Sequence, residues 1–301
     1  PKGNQDETVM STLQLVRQYR QSLSDNLDQT GMSPKALTPE GREKLEDQLA
    51  VTLYKIDHGY PAVLNPLDFR TITLMLMFGC GLVLVIALMM ILAGGSVSQE
   101  LATGSIKSLI IAPVKRWKIY LAKLLSLIVI GALAMLLLYV SSMLAHGIFF
   151  GFTGNTPYVY AMGGRVYEMN YYLYQLANIA VYFIDVLVYT VFAFMLSIIT
   201  RNTAASVSIS LVTYFGAVPI LQIIMLAASG DWLKFIPFNN MSLNMKIFPF
   251  DNSSQVMGLL GNTGLANAMS TSVTFSLCYL AILLVCMITI GLDSFSRRDI
   301  K

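Results

Sequence analysis

The sequence predicts an all-α polytopic membrane protein with five transmembrane helices in this chain and an extracytoplasmic helical hairpin before them. The chain is 55% hydrophobic and only 12% charged, about half the charged fraction of a soluble globular protein. Five separate stretches also reach the roughly 20 apolar residues that a helix needs to cross a bilayer. They lie at about 71–95, 119–146, 171–200, 204–228 and 271–295, within a transmembrane domain of residues 71–301.

Residues 1–70 precede the first apolar stretch and are predicted to form the helical hairpin. A first helix is expected over about 5–27, followed by the breaker run 30–34. A second begins at Thr38, which can cap its N-terminus, with Pro39 in the first turn, and ends near Ile56. The hairpin could cap a pathway, pack on a partner subunit or simply link spans.

A basic loop, Ser96–Lys123, separates the first two apolar stretches and orients the chain. It carries five basic residues against one acid, Glu100. Short loops rich in Lys and Arg stay on the cytoplasmic side. This places the loop and the C-terminus inside and residues 1–70 outside. Because an outer segment needs a route across the membrane, we expect a further transmembrane helix upstream of Pro1, giving six in all.

The two outer loops differ in composition. Residues 147–170 are crowded with Phe and Tyr, which predicts an interfacial aromatic belt. Residues 229–270 are longer and still apolar, which predicts short helices that dip into the outer leaflet without crossing it.

The first half of the basic loop predicts a short amphipathic helix. Apolar residues recur at roughly helical spacing from Val97 to Ile110, and Pro113 ends the pattern. Trp117, which follows, is predicted to anchor the chain at the interface between membrane and water. Such a helix can either transmit motion between the two spans that hold it or lie on the inner leaflet.

The third apolar stretch has one polar face. Asn178, Tyr182, Asp185 and Tyr189 fall at i, i+4, i+7 and i+11, so they share one side of a helix. A carboxylate near the middle of a span costs about 2.5–3.5 kcal/mol on insertion scales. The face is therefore predicted to line a translocation pathway or to form a buried interface between helices.

The sequence shows no catalytic constellation. It lacks a GxSxG elbow, an HExxH zinc motif and a P-loop, and its two histidines lie far apart. Its three cysteines have no metal-ligand spacing. We therefore expect no catalytic residues, no metal site and no cofactor bound by this chain. The net charge of +3 gives no reason to expect a nucleic-acid partner.

The basic loop and the C-terminus together resemble a known family. The loop follows E-x-x-x-G-[ST]-I-x-x-L-x-x-x-P-[VI]-x-R-x-x-[IL]-x-x-x-K from Glu100 to Lys123, and the chain closes with F-x-x-R-D-[IL] at 295–300. Both patterns, with the order of spans from about Leu67 onward, resemble the permease subunits of type-2 ABC exporters. This group contains the bacitracin-resistance, sodium-extrusion and lantibiotic-immunity permeases.

The resemblance implies a dimer, with the same or a homologous permease, in the bacterial cytoplasmic membrane. Each subunit would rest on a separate cytoplasmic ABC ATPase that binds ATP and Mg. The loop would couple to that ATPase through Glu100, Gly104, Ser105, Ile106, Lys107, Leu109, Pro113 and Arg116. The expected substrate is amphipathic: a peptide antibiotic, bacteriocin, drug or lipid-like molecule. Sodium export is the nearest alternative, followed by an ion-coupled transporter or channel and a membrane-embedded enzyme.

Overall fold

The structure is a computed structural model that describes residues 2–28, 35–36, 39–60, 80–103, 115–151, 157–162, 164–227, 234–241, 243–248 and 272–297. Its helices are α1 (Lys2–Asp25), α2 (Pro39–Asp57), α3 (Gly81–Ser96), α4 (Ser98–Thr103), α5 (Arg116–Phe150), α6 (Tyr171–Thr200), α7 (Thr203–Ala227), α8 (Pro237–Asn240), α9 (Leu243–Ile247) and α10 (Val273–Arg297). Its strands are β1 (Leu27–Asp28), β2 (Lys35–Ala36), β3 (Tyr158–Met162) and β4 (Arg165–Met169). The protein is therefore mostly helical, as predicted.

The chain divides into two compact units. The first comprises Pro1–Leu76, Leu144–Asn178 and Ile247–Asn267, and the second comprises Met77–Met143, Ile179–Lys246 and Ala268–Lys301.

In the first unit, α1 and α2 occupy the positions predicted for the helical hairpin and contact each other. Asn26, which follows α1, has a φ of 53°, a left-handed conformation that ends helices and that Asn tolerates. The strands β1 and β2 then pair antiparallel before α2 begins with Pro39. The side of the membrane on which this region lies stays a prediction.

A β-hairpin in the first unit was not predicted. Strands β3 and β4 pair antiparallel, with Tyr160 opposite Tyr167, and both contact α2. Val159 packs in a cluster with Val51 of α2, and the ring of Tyr158 stacks on Tyr174 at 4.3 Å. Tyr158 of loop 147–170 thus packs inside the unit, and the interfacial belt expected of this loop stays a prediction.

The second unit contains most of the apolar helical sequence. Four described helices are long and apolar enough to cross a membrane: Gly81–Glu100, Arg116–Phe149, Tyr171–Thr200 and Val273–Ser296. They match four of the five predicted stretches, although residues 71–79 of the first stretch lie outside the described residues. The remaining stretch, 204–228, coincides with the 25-residue helix α7. The protein is a membrane protein, and its count of five spans stays a prediction.

The spanning helices are not equally buried. In Gly81–Glu100 and Tyr171–Thr200, 44% of the most apolar 18-residue segment is buried inside the protein. In α5 and α10 the corresponding shares are only 22% and 17%. Apolar side chains such as Leu137 on α5 and Val285 on α10 are correspondingly exposed. Surfaces of this kind suit lipid or a second subunit.

The loop after α7 contains short helices, as predicted. Pro237 occupies the first turn of α8, where its missing N–H costs no hydrogen bond. Both α8 and α9 are only one turn long, and their residues Asn239, Asn240 and Leu243 are nevertheless buried.

Candidate functional site

Two polar clusters occur in the second unit, and the first lies where the basic loop begins. We call it the loop-base cluster: Gly94, Ser96, Ser98, Glu100, Lys123, Ser197, Thr203 and Ser206. The carbonyl of Gly94 accepts hydrogen bonds of 2.7 Å from the hydroxyls of both Ser98 and Ser206. The turn from α3 to α4 is thus tied to the start of α7.

Ser197 of α6 holds the same turn. Its Oγ accepts hydrogen bonds from the backbone N–H groups of Val97 (3.3 Å) and Ser98 (3.0 Å). A hydroxyl that accepts from the unsatisfied N–H groups at a helix start stabilises that helix by about 1 kcal/mol. Here the capping hydroxyl comes from another helix, so α6 directly positions the start of α4.

Glu100 and Lys123 form the ion pair of this cluster. The Lys123 ammonium donates to Glu100 Oε1 at 2.5 Å and to the Ser96 carbonyl at 3.3 Å. The two side chains are only 18% and 31% exposed, for Lys123 and Glu100 respectively, so solvent screens the pair less than it screens a surface ion pair. The pair joins the first turn of α4 to the first turns of α5.

The first turns of α5 also reach α10. The guanidinium of Arg116 donates to the Ser296 carbonyl at 3.3 Å, and the Tyr120 hydroxyl donates to the Ile288 carbonyl at 2.9 Å. The start and end of the basic loop are therefore bonded to α3, α6, α7 and α10.

Of the predicted coupling residues, the structure places Glu100 and Arg116. The sequence assigned Glu100 a contact with an ATPase surface, whereas its carboxylate is engaged by Lys123 within the chain. The other six, Gly104, Ser105, Ile106, Lys107, Leu109 and Pro113, lie outside the described residues.

The second cluster lies where α8 and α9 meet α6 and α10. We call it the lysine cluster: Tyr182, Asp185, Asn239, Asn240, Asn244, Lys246 and Ser276. The Lys246 ammonium donates to Ser276 Oγ at 2.7 Å and to the Asn239 carbonyl at 3.2 Å. Ser276 Oγ in turn donates to Asn240 Oδ1 at 3.0 Å. Side chains from α8, α9 and α10 thus form one connected network.

Asn244 connects this network to the polar face of α6. Its Nδ2 donates to the Tyr182 hydroxyl at 2.6 Å, one turn from Asp185. Asp185 is itself 7% exposed, and its charge acts on Lys246. Burial lowers the pKa of the Lys246 ammonium to about 8, and the nearby Asp185 carboxylate opposes that fall.

The predicted polar face of α6 divides between two environments. Tyr182, Asp185 and Tyr189 belong to the second unit, where the Tyr189 ring meets Tyr214 of α7 edge-on at 4.9 Å. Asn178 belongs to the first unit and donates to the Tyr174 hydroxyl at 3.4 Å. Asn178, Asp185 and Tyr189 are buried and Tyr182 is half-buried. Both alternatives for this face, a translocation pathway and an interface between helices, stay predictions.

Sequence reasoning missed Lys246 and Ser197. The only signal for Lys246 was a single lysine within the apolar stretch 235–250, and a serine within a span gives no signal. Across the described ranges, no group of three or more His, Cys, Asp or Glu side chains could hold a metal ion.

Comparison with known proteins gives consistent matches. The model of the family described as "Protein of unknown function (DUF2705)" matches residues 56–301. The chain is 27% identical over 265 residues to the Bacillus subtilis (strain 168) "Uncharacterized protein YhcI", covering 87% of this chain and 78% of the relative. It is 26% identical over 219 residues to the "Uncharacterized membrane protein YdbK" of the same organism, covering 73% and 79%. The second name agrees with the apolar helices described above.

Proposed function

We propose that this chain, which belongs to the family described as "Protein of unknown function (DUF2705)", is the membrane-spanning permease subunit of an ATP-driven ABC exporter. It would move an amphipathic molecule out of a bacterial cell across the cytoplasmic membrane. The observation that carries the proposal is the loop-base cluster, because it makes the basic loop a joint between several helices.

The bonds of the loop-base cluster suit a coupling role. A partner that pushes on the loop acts on α4, whose first N–H groups are held by Ser197 and whose Glu100 is held by Lys123. Packed helices respond to such a push as rigid bodies. A displacement of the loop would therefore be passed to α3, α5 and α6 together, which a helix merely resting on a lipid surface would not achieve.

The proposal assigns ATP chemistry to a second protein. The sequence contains no P-loop, so a cytoplasmic ABC ATPase would bind ATP and Mg and contact the basic loop. A second permease subunit would cover part of the exposed apolar surface of α5 or α10. With the loop inside, residues 1–70 would lie outside.

Sodium export receives less support than export of an amphipathic molecule. A sodium site built on Asp185 would require that carboxylate to face the ion. The ammonium of Lys246 already lies within its electrostatic reach, and a second cation there would be repelled.

The test is co-purification of the full-length protein, tagged in a native host, with a P-loop ATPase. We expect the wild type to retain the ATPase. The amount of ATPase retained by Glu100→Lys should fall at least about tenfold, because a repulsive pair of ammonium groups would replace the ion pair between residues 100 and 123. The double variant Glu100→Lys with Lys123→Glu should restore the association, since it rebuilds the pair in reverse.

The matched control is the exposed ion pair Arg42–Glu46 of α2, whose atoms lie 3.1 Å apart. Reversing it should leave the association unchanged, because exposed pairs contribute little. Absence of any P-loop ATPase from the wild-type preparation, or equal loss in the Arg42–Glu46 variant, would show that the proposal is wrong.

A further inference from the structure

The start of α5 carries two exposed lysines beside an exposed tryptophan. We propose that Lys115, Trp117 and Lys118 bind the headgroup of an anionic phospholipid, whose acyl chains lie along the apolar face of α5. The partner is the lipid itself, selected for its negative charge. The inference goes beyond the exporter function and does not depend on it.

The two lysines lie on one turn of the chain. The Lys118 N–H donates to the Lys115 carbonyl at 2.9 Å, and residues three positions apart are neighbours on a helix surface. Both residues are exposed, and neither takes part in the ion pairs found among the described residues. The one acid of the basic loop, Glu100, is bound to Lys123. Two positive charges therefore face outward together where the loop enters α5.

Trp117 places these charges at the level of lipid headgroups. Its side chain is 45% exposed, and Lys118 Nζ lies 5.8 Å from the centroid of its ring. Tryptophan is enriched where headgroups meet acyl chains, because its ring is apolar and its N–H is polar. The ring also attracts the ammonium. Trp117 thus positions the Lys118 charge at the depth where a phosphate group lies.

Beyond Trp117, α5 presents a continuous apolar face. Leu121 and Leu125 follow Trp117 at i+4 and i+8, so the three share one side of the helix, and both leucines are exposed. Exposed apolar side chains continue along the helix at Val129, Leu133 and Leu137. From Trp117 to Leu137 the helix is about 30 Å long, which matches the hydrocarbon core of a bilayer. A phospholipid therefore finds a surface for its acyl chains directly below the charges.

Charge favours a lipid over a second copy of this chain on the same face. A two-fold dimer formed through the start of α5 would bring the same patch of both subunits together. The lysine pairs would then repel each other. An anionic headgroup neutralises them instead, and each lysine near a membrane surface strengthens binding of anionic lipid about fivefold. A second permease subunit is accordingly expected on α10.

The test is quenching of Trp117 fluorescence by brominated phospholipids in liposomes that contain the full-length protein. Every other tryptophan, including Trp232, is replaced by Phe. Dibrominated phosphatidylglycerol is the anionic probe, and dibrominated phosphatidylcholine is the zwitterionic one. We expect phosphatidylglycerol to bind beside Trp117 at least about tenfold more tightly, since two lysines contribute. Lys115→Gln with Lys118→Gln should remove this preference, whereas Lys115→Arg with Lys118→Arg keeps both charges and should retain it.

The matched control is Lys234→Gln, because Lys234 Nζ also lies near an exposed ring, 5.6 Å from the centroid of Phe235. It should leave the preference at Trp117 unchanged. The inference is overturned if both lipids quench Trp117 equally, if neither quenches it because protein covers the ring, or if Lys234→Gln lowers the preference as much as the double glutamine variant. Since no ATPase is present, the outcome is independent of the co-purification result.

Discussion

The loop-base cluster and the lysine cluster lie on the same helix, α6, and are built in different ways. Ser197 and Asp185 are separated by 12 positions, about 18 Å along a helix. In the loop-base cluster the hydroxyl of Ser197 accepts from the backbone, and Glu100 is bound directly to Lys123. In the lysine cluster, Lys246 on the one-turn helix α9 donates to Ser276 Oγ and the Asn239 carbonyl, and Asn244 donates to Tyr182 of α6.

This difference separates two tasks. In the loop-base cluster, hydrogen bonds between hydroxyls and backbone groups have a fixed geometry and connect helices that already pack together. A displacement of one of these helices is therefore transmitted to the others. In the lysine cluster, hydrogen bonds from Lys246 to Ser276 and Asn239 instead hold the short helix α9 against its neighbours. The first cluster is suited to mechanical coupling, and the second positions the loop after α7.

The largest effect is expected from substitution at Gly94. A Cβ there would lie 2.8 Å from Val207 Cγ2 and 3.3 Å from Ser206 Oγ, and the stiff Val side chain cannot move aside easily. Gly94→Ala should therefore force α3 and α7 apart and destabilise the protein by about 2 kcal/mol. Thermal unfolding in detergent, followed by tryptophan fluorescence, measures the change in Tm.

The adjacent Gly95 provides the control for that experiment. Its added Cβ would meet Gln99 and Thr203 side-chain atoms at 3.7 and 3.8 Å, ordinary contact distances. Gly95→Ala should leave Tm nearly unchanged. An equal fall in both variants would mean that helix propensity or lipid contact, and not the close approach of α3 to α7, limits stability.

A smaller effect should distinguish the clusters by pH. Since the pKa of Lys246 is lowered to about 8, its ammonium is mostly charged at pH 7 and mostly neutral at pH 9. In the unfolded chain the same ammonium has its ordinary pKa of 10.5. The unfolded state therefore binds more protons above pH 8, and the protein should become more stable as the pH rises from 7 to 9. Thermal unfolding in detergent at both pH values measures the change in Tm.

The other titratable groups around the lysine cluster are Asp185 on α6 and four phenols: Tyr182, Tyr189, Tyr214 and Tyr279. Lys246→Gln removes the lysine and leaves these groups in place, so it should abolish the rise in Tm. A rise that persists in that variant would assign the pH dependence to another group.

Much of the helical fold could be predicted from the sequence because apolar length and breaker residues are local signals. The predicted stretch 171–200 has the same bounds as α6, and Pro39 begins α2 as expected. The β3–β4 hairpin was missed because its tyrosines fit a membrane interface equally well. Their packing against Val51 and Tyr174 depends on contacts between segments far apart in the chain.

The candidate sites were predicted in part for the same reason. Helical periodicity placed Tyr182, Asp185 and Tyr189 on one face, because that relation depends only on spacing. The partners of these residues could not be predicted, since Lys246 is 61 positions from Asp185 and reaches α6 only through the fold of the loop after α7. Glu100 and Lys123 both belong to the motif, yet spacing alone does not pair them.

The most direct test of the central claim measures how many substrate molecules are transported for each ATP hydrolysed. The assay uses proteoliposomes that contain the full-length protein and its co-purified ATPase. The account predicts ATP-dependent transport by the wild type. It predicts that Glu100→Lys loses transport and that adding Lys123→Glu restores it. Transport at the wild-type rate without the ATPase, or unchanged transport per ATP in Glu100→Lys, would contradict the claim that the basic loop couples this protein to ATP hydrolysis.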